Sequence, residues 1–173
     1  MDCKIRKWKL EDKNALAELL NNKKILNNLR DGLPYPYTVK DAEEYITAML
    51  SADKTKNFAF AIVVNEEVVG SIGVFRCDNI HSRTAEMGYY IGEPYWGKGI
   101  CTNAVQQTCQ YIFENTDIIR IFAEPFARNK ASCRVLEKAG FQFEGTLRSH
   151  ALKNGQILDM KMYALIKDID NEK

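Results

Sequence analysis

The chain has 173 residues, 46% hydrophobic and 27% charged, which suits an ordinary globular domain with room for one core. Its formal net charge of +1 excludes the basic footprint of a dedicated nucleic-acid binder. Five cysteines, none in a C-x-x-C pair, and only two histidines, His81 and His150, argue against a disulfide framework and a zinc site and fit a reducing cytoplasm. The start, MDCKIRKWKLEDK, is charged throughout and lacks the apolar segment of a signal peptide. No apolar run approaches membrane-spanning length, so neither a membrane nor a nucleic acid is expected as a partner.

In chain order, Ile5 to Lys7 reads as a short strand and Glu11 to Leu20 as a helix with the stripe Ala15, Leu16, Leu19, Leu20. The prolines of DGLPYPYT, Asp31 to Thr38, force a loop. Asp41 to Leu50 reads as a second helix. Phe58 to Val64 is apolar on both faces, as in a central strand. Asn65 to Glu67 turns it into Val68 to Phe75, and Thr84 to Ile91 follows as another strand. Gly97 to Phe113 reads as a long helix with Ile100, Ala104, Val105, Cys109, Ile112 and Phe113 on one side.

Ile118 to Glu124 is a strand, and Ala131 to Ala139 a helix stopped by Gly140. Phe141 to His150 and Gln156 to Ile166 then pair across the turn Lys153 to Gly155. In the last strand Leu158, Met160, Met162, Ala164 and Ile166 share one face and Asp159, Lys161 and Tyr163 the other, so Asp159 is expected to point away from the core. The sum is a mixed α/β sheet with helices on both faces, one domain over residues 1–173.

Between a strand and a helix lies YYIGEPYWGKGICTNAV, Tyr89 to Val105, with Gly92, Gly97 and Gly99. Glycines let a backbone approach an anion, and a helix N-terminus offers free N–H groups and a positive end. Phosphate binding is one reading; a glycine-rich turn that only starts a helix is the other. Gly92 to Gly97-Lys98 satisfies the first seven positions of the triphosphate loop G-x-x-x-x-G-K-[ST], but Gly99 stands where the magnesium-binding hydroxyl is needed. Pro94, Tyr95 and Trp96 are also bulky for such a loop.

WGKGICT, Trp96 to Thr102, resembles the acyl-CoA-binding segment R/Q-x-x-G-x-G/A of the GNAT N-acetyltransferases. Gly99 takes the glycine place, while Trp96 stands for Arg/Gln and Cys101 for Gly/Ala. PFARNKASCRVLEKAGFQFEGTLR (Pro125 to Arg148), KNGQILDMKMYAL (Lys153 to Leu165) and LRDGLPYPYTVKDAEEYI (Leu29 to Ile46) are similar to segments of the RimJ/RimL type, the ribosomal-protein N-terminal acetyltransferases.

The resemblance implies a mostly antiparallel sheet of about seven strands, splayed between Thr84–Ile91 and Ile118–Glu124. Acetyl-CoA would lie in the gap, its pantetheine arm on backbone groups near Tyr90 and Ile91. Its pyrophosphate would lie on the segment Trp96, Gly97, Lys98, Gly99, Ile100, Cys101 and Thr102. No metal is implied. The partner is an amine acceptor, a protein N-terminus or a small amine, and homodimers are common in such families.

Asn129 and Ser132, three residues apart at a helix start, share a side. By the resemblance Asn129 holds the pantetheine arm and Ser132 protonates the departing thiolate; the alternative for Asn129 is that it only caps the helix. Glu86 is the general-base candidate by resemblance, against an exposed strand carboxylate or an ion pair with Arg83. Cys133 sits among Arg128, Lys130 and Arg134, yet no histidine near it in sequence could serve as its base, and it reads as a bland thiol. By resemblance Arg30, Tyr35 and Tyr37 cover the acceptor side, with Arg148, His150, Asp159 and Tyr163 on the other wall and Asp159 binding the incoming ammonium. A solvated surface group is the alternative for each. A non-catalytic acyl-CoA-binding module is the competing reading of the whole chain.

Overall fold

Along the strand Asn57–Val64 (β2), Phe60, Ile62 and Val64 alternate with Ala59, Ala61 and Val63, and the two sets pack into different apolar clusters. Such a strand needs helices on both sides. The computed structural model, which describes residues 1–169, supplies them around one sheet. Residues 170–173 of the expected domain lie outside the described residues.

The other strands are β1 (Lys4–Lys7), β3 (Glu67–Arg76), β4 (Thr84–Ile91), β5 (Arg120–Ala123), β6 (Gln142–Lys153) and β7 (Gln156–Ile166). Their spatial order is β1-β2-β3-β4-β5-β7-β6, and every neighbouring pair is antiparallel except β4 and β5. The helices are α1 (Lys13–Leu20), α2 (Lys23–Leu26), α3 (Val39–Ser51), α4 (Ile100–Asn115) and α5 (Lys130–Lys138). The stripe Ile100, Ala104, Val105, Cys109, Ile112 of α4 and Cys133, Leu136 of α5 cover one face. Leu16, Ala17 and Leu20 of α1 and Ala42 and Ile46 of α3 close over Trp8, Ala61 and Val63 on the other.

Several boundaries move for local reasons. α3 begins at Val39 rather than Asp41, because Thr38 and Asp41 cap reciprocally: the Asp41 N–H donates to Thr38 Oγ1 (3.2 Å) and the Thr38 N–H to Asp41 Oδ2 (2.7 Å). α4 begins at Ile100 rather than Gly97, because Gly97 and Gly99 hold φ of +74° and +78°, which no right-handed helix contains. β5 keeps only Arg120–Ala123 of the expected strand. α2 has four residues, too short to leave a periodic signal. Both hairpin turns carry two residues of positive φ, Asn65–Glu66 and Asn154–Gly155, as two-residue hairpins prefer.

One assignment in β7 is reversed. Tyr163, expected to face away from the core, is 1% exposed and packs in the cluster under α5, its hydroxyl donating to Glu137 Oε1 at 2.9 Å. Ala164 and Met160 on the opposite face are buried too. β7 lies between β5 and β6 and is covered on both sides there, so alternation alone could not name its inner face.

An ion pair ties the N-terminal strand to the start of α1. Arg6 donates to both oxygens of buried Asp12 (2.7 and 2.9 Å), and the Lys9 N–H donates to Oδ2 (2.9 Å). Burial alone would raise the Asp12 pKa, but the Arg6 guanidinium and the Lys9 amide outweigh it, and the carboxyl lies below its ordinary 3.8. A lowered folded-state pKa means stability held at neutral pH and lost as pH falls through that folded value. Urea melts run from pH 6 downwards are expected to show this acid limb, and Asp12→Asn to flatten it at a cost of about 1–3 kcal/mol at neutral pH.

β4 and β5 stay together over three rungs only, Thr84 with Arg120, Ala85 with Ile121 and Glu86 with Phe122. β4 then continues for five residues along β3 while β5 departs, and the sheet splits between them.

Candidate active site

The split leaves one edge of β4 without a partner. The ladder's alternation says which residues own that edge. Thr84 O accepts from Cys77 N (2.9 Å) and Gly92 N donates to Val69 O (2.8 Å), both toward β3, whereas Arg83 O accepts from Ile119 N (2.9 Å) on the β5 side. Met87, Tyr89 and Ile91 therefore turn their amides toward the gap. Tyr90, expected to lend its backbone there, exchanges its bonds with Ser71 of β3 instead. Its half-buried ring packs on the other face against the α1–α3 cluster, where desolvation raises its pKa. The Ile91 carbonyl is also taken, accepting from the Trp96 indole at 2.9 Å. Trp96 thus pins the loop to the end of β4.

At the mouth of the gap stands the start of α4. Gly99 is its N-cap and has no side chain to cap with, and the first backbone bond is Asn103 N–H to Gly99 O (3.1 Å). The amides of Gly97, Lys98, Gly99, Ile100, Cys101 and Thr102 find no acceptor among the described residues. A Cβ built on Gly97 or Gly99 would meet nothing within 4 Å, so the cradle is open. Lys98 holds its ammonium 5.6 Å from the Tyr95 ring. Burial pushes the Cys101 thiol up to about 12, so it stays protonated and leaves only its backbone for an anion. An uncapped helix end with six free amides fits a diphosphate.

Across the gap, α5 begins at Asn129, whose Oδ1 accepts from the Ser132 N–H (3.2 Å). The capping role is thus real. Ser132 Oγ lies 2.9 Å from the Tyr89 hydroxyl, which also donates to the Ser132 carbonyl (3.2 Å). Burial raises the Tyr89 pKa, so the phenol is neutral. This hydroxyl pair joins β4 to α5 over the split. Sequence reasoning passed over Tyr89, although it is the one polar tip among Ala85, Met87 and Ile91 on that face of β4.

Glu86 occupies the last rung before the split, its side chain 29% exposed. Its partner is not Arg83, whose Nε donates to the Asp117 carbonyl (2.7 Å). The partner is Arg30, which forks onto both Glu86 oxygens, one bond at 3.4 Å and one shorter. Glu124, just beyond β5 and on the same face as Phe122, lies 3.6 Å from the same guanidinium. Neither the pairing nor Glu124 was read from the sequence. The signal was there in parity: Glu86, Phe122 and Glu124 fall on one face once β4 and β5 are aligned.

The expected acceptor wall comes together only in part. Arg30 and Tyr35 line a cavity of about 380 Å³ with Lys23, Asp31, Leu33 and Lys153. Tyr37 does not belong to it: it is 4% exposed, sits in the α1–α3 cluster, and burial pushes its pKa up to about 12. Asp159 is exposed as expected, but its Oδ1 accepts from the Ser149 N–H (2.7 Å) and so holds the irregular stretch of β6 between Leu147 and Ala151. Arg148 and His150 stand exposed on β6, and Cys133 is buried. Among the described residues no group of three His, Cys, Asp or Glu side chains is placed to hold a metal, and no helix is long and apolar enough to cross a membrane.

Free amides for a diphosphate, continued by the bare edge of a strand, suit a long phosphorylated carrier with amide groups rather than a nucleoside triphosphate. The class so defined is an enzyme that takes an acyl group from coenzyme A. The chain belongs to the acetyltransferase (GNAT) domain family, whose profile matches residues 3–142, and is an acetyl-CoA-dependent N-acetyltransferase. It is 29% identical over 167 residues to the uncharacterized N-acetyltransferase p20 of Bacillus licheniformis, covering 94% of this chain and 92% of that one. It is 32% identical over 139 residues to the probable N-acetyltransferase YjcK of Bacillus subtilis strain 168, covering 79% and 77%. Its fold matches that of RimL, a ribosomal L7/L12 alpha-N-protein acetyltransferase solved with coenzyme A, at a TM-score of 0.85 and 25% identity over 97% of this chain and 96% of that one.

Proposed function

We propose that the acceptor is the N-terminal α-amine of a protein, such as a ribosomal protein, and that Glu86 takes its proton. The observation that carries the chemistry is the carboxylate of Glu86 on the last shared rung of β4 and β5, at the fork of the sheet. The likeness to RimL along nearly the whole of both chains supports the acceptor class.

Acetyl-CoA supplies the thioester. In this reading the amides from Gly97 to Thr102 hold its diphosphate, with Trp96 and Lys98 beside them. Tyr89, Met87 and the Ile91 N–H line its arm, and Asn129 closes the other side. An α-amine with pKa 7.7–8.0 is about one third neutral at pH 7.5, whereas a lysine-type amine at 10.4 is about 0.1% neutral. One carboxylate, directly or through a water, is enough help for the first. The free amides along the β4 edge donate to the developing oxyanion.

Ser132, backed by the neutral Tyr89 hydroxyl at 2.9 Å, protonates the departing sulfur. Tyr89→Phe is expected to lower kcat about tenfold with acetyl-CoA affinity unchanged. An acetyl thioester with a more acidic thiol should shrink that deficit. An equal deficit with both donors would assign Tyr89 to packing.

The test of the function is acetyl-CoA-dependent thiol release with two acceptor sets. One is short peptides with free Ala, Ser or Met N-termini; the other is polyamines and aminoglycosides. Peptide acetylation is the expected result. Turnover confined to small amines would overturn the acceptor and leave the transferase.

A further inference from the structure

Arg30, Glu86 and Glu124 come from three places in the chain and meet at the fork of the sheet. The two carboxylates are fixed by the strands: Glu86 on β4, Glu124 one residue past β5. The guanidinium arrives on a side chain from the segment between α2 and α3. Burial is unequal in the same sense. The side chains of Glu86 and Glu124 are 29% and 16% exposed, that of Arg30 64%. Glu124 has no other side-chain partner among the described residues, and its one contact, at 3.6 Å, is too long for a hydrogen bond.

A half-buried carboxylate with no hydrogen bond to the described residues gains from a positive partner at closer range than this. A solvent-exposed ion pair holds its partner weakly and exchanges it readily. The anionic pair is therefore the fixed part of the arrangement and the cation the exchangeable part. Arg30 stands where the proton-accepting oxygen of Glu86 must meet an amine.

We infer that Arg30 is an internal competitor for the acceptor. Glu86 and Glu124 together bind the ammonium end of the incoming amine, which enters by displacing the guanidinium of Arg30. The inference rests on the amine-acceptor reading given above and adds to it Glu124 as a binding residue. It also gives Arg30 a specificity role opposite to that of a substrate ligand. An acceptor without a positive charge does not displace the arginine.

Calorimetric titration tests this with the full chain, saturated with coenzyme A so that no transfer occurs. The probes are a Ser-initiated tripeptide, its N-acetylated twin, and spermidine. The proteins are the wild type, Arg30→Ala, Arg30→Lys and Glu124→Gln, each checked for unaltered coenzyme A affinity. Arg30→Ala is expected to tighten the free-amine probes about fivefold and leave the acetylated twin unchanged. Arg30→Lys should stay near wild type and Glu124→Gln should weaken the free amines. Millimolar guanidinium ion should compete with the probes in Arg30→Ala more than in the wild type.

Weaker amine binding in Arg30→Ala would overturn the inference by making Arg30 a ligand, and so would absence of amine binding in all four proteins. The tripeptide and spermidine arms tell which kind of ammonium the pair prefers. The readout is binding, so it separates the two readings. Ammonium binding without acetyl transfer would sink the proposed function alone, and normal transfer with indifferent binding would sink this inference alone.

Discussion

Glu86→Gln is expected to lower kcat for acetyl transfer by about 10²–10⁴-fold, the usual span for loss of a general base, with acetyl-CoA affinity unchanged. The amide is isosteric and can still meet Arg30, so folding is not in question; what is lost is a proton acceptor at the fork of the sheet. The size within that span reports the acceptor. An α-amine is already partly neutral at pH 7.5 and should show the smaller loss, whereas an alkylamine depends on the base far more. Raising the pH should restore the variant's rate, because neutral amine then becomes abundant without help. Steady-state kinetics from pH 6.5 to 9.5 check this. A variant with the wild-type rate across that range would remove Glu86 from the proton path.

Gly99→Val should act on the other half of the reaction. Gly99 holds φ of +78°, and an L side chain there costs roughly 1–2 kcal/mol, more when it is branched at Cβ. Because nothing lies within 4 Å of the added Cβ, the strain comes from the backbone and not from a clash. The loop relaxes and re-aims the amides at the start of α4. Losing one or two hydrogen bonds to a charged group, at about 1.5–3 kcal/mol each, predicts an acetyl-CoA Kd raised about 10²-fold. The melting temperature should fall by only a few degrees, since relaxation of the exposed loop relieves part of that strain. Gly99→Asn is the control: Asn tolerates the left-handed region and should stay within about threefold of wild type. Equal losses in both variants, measured by titration, would mean that the bulk of any side chain, and not the backbone geometry, is what matters.

Some of the site is legible in the sequence because it is local. A glycine pair before an amphipathic helix can be read from adjacent residues, and the uncapped start of α4 is the direct consequence of Gly99 having no side chain. Asn129 and Ser132 were paired by helical spacing and are bonded in the fold. Glu86 was found on a strand whose limits, Thr84 to Ile91, hold residue for residue.

The misreadings share another cause. Tyr37 carries a group that could bind a substrate, and nothing in its neighbours says that it is buried among the residues of α1 and α3. Tyr90 turns its amide to β3 rather than to the gap because strand register, which decides which amides face the gap, depends on β3 and β5 rather than on β4. The inward side of Tyr163 cannot be read from alternation, because β7 is covered on both faces.

The sequence by itself determined the elements, the glycine-opened helix end and the family resemblance, since each depends on residues within a turn or a strand of one another. Only the tertiary structure decided the pairing of Arg30 with Glu86 and Glu124, the bond between Tyr89 and Ser132, and the width of the split. Those contacts join residues 43 to 94 positions apart, and their geometry is set by where two parallel strands stop pairing. No local propensity encodes that point; the packing of helices on both faces of the sheet does.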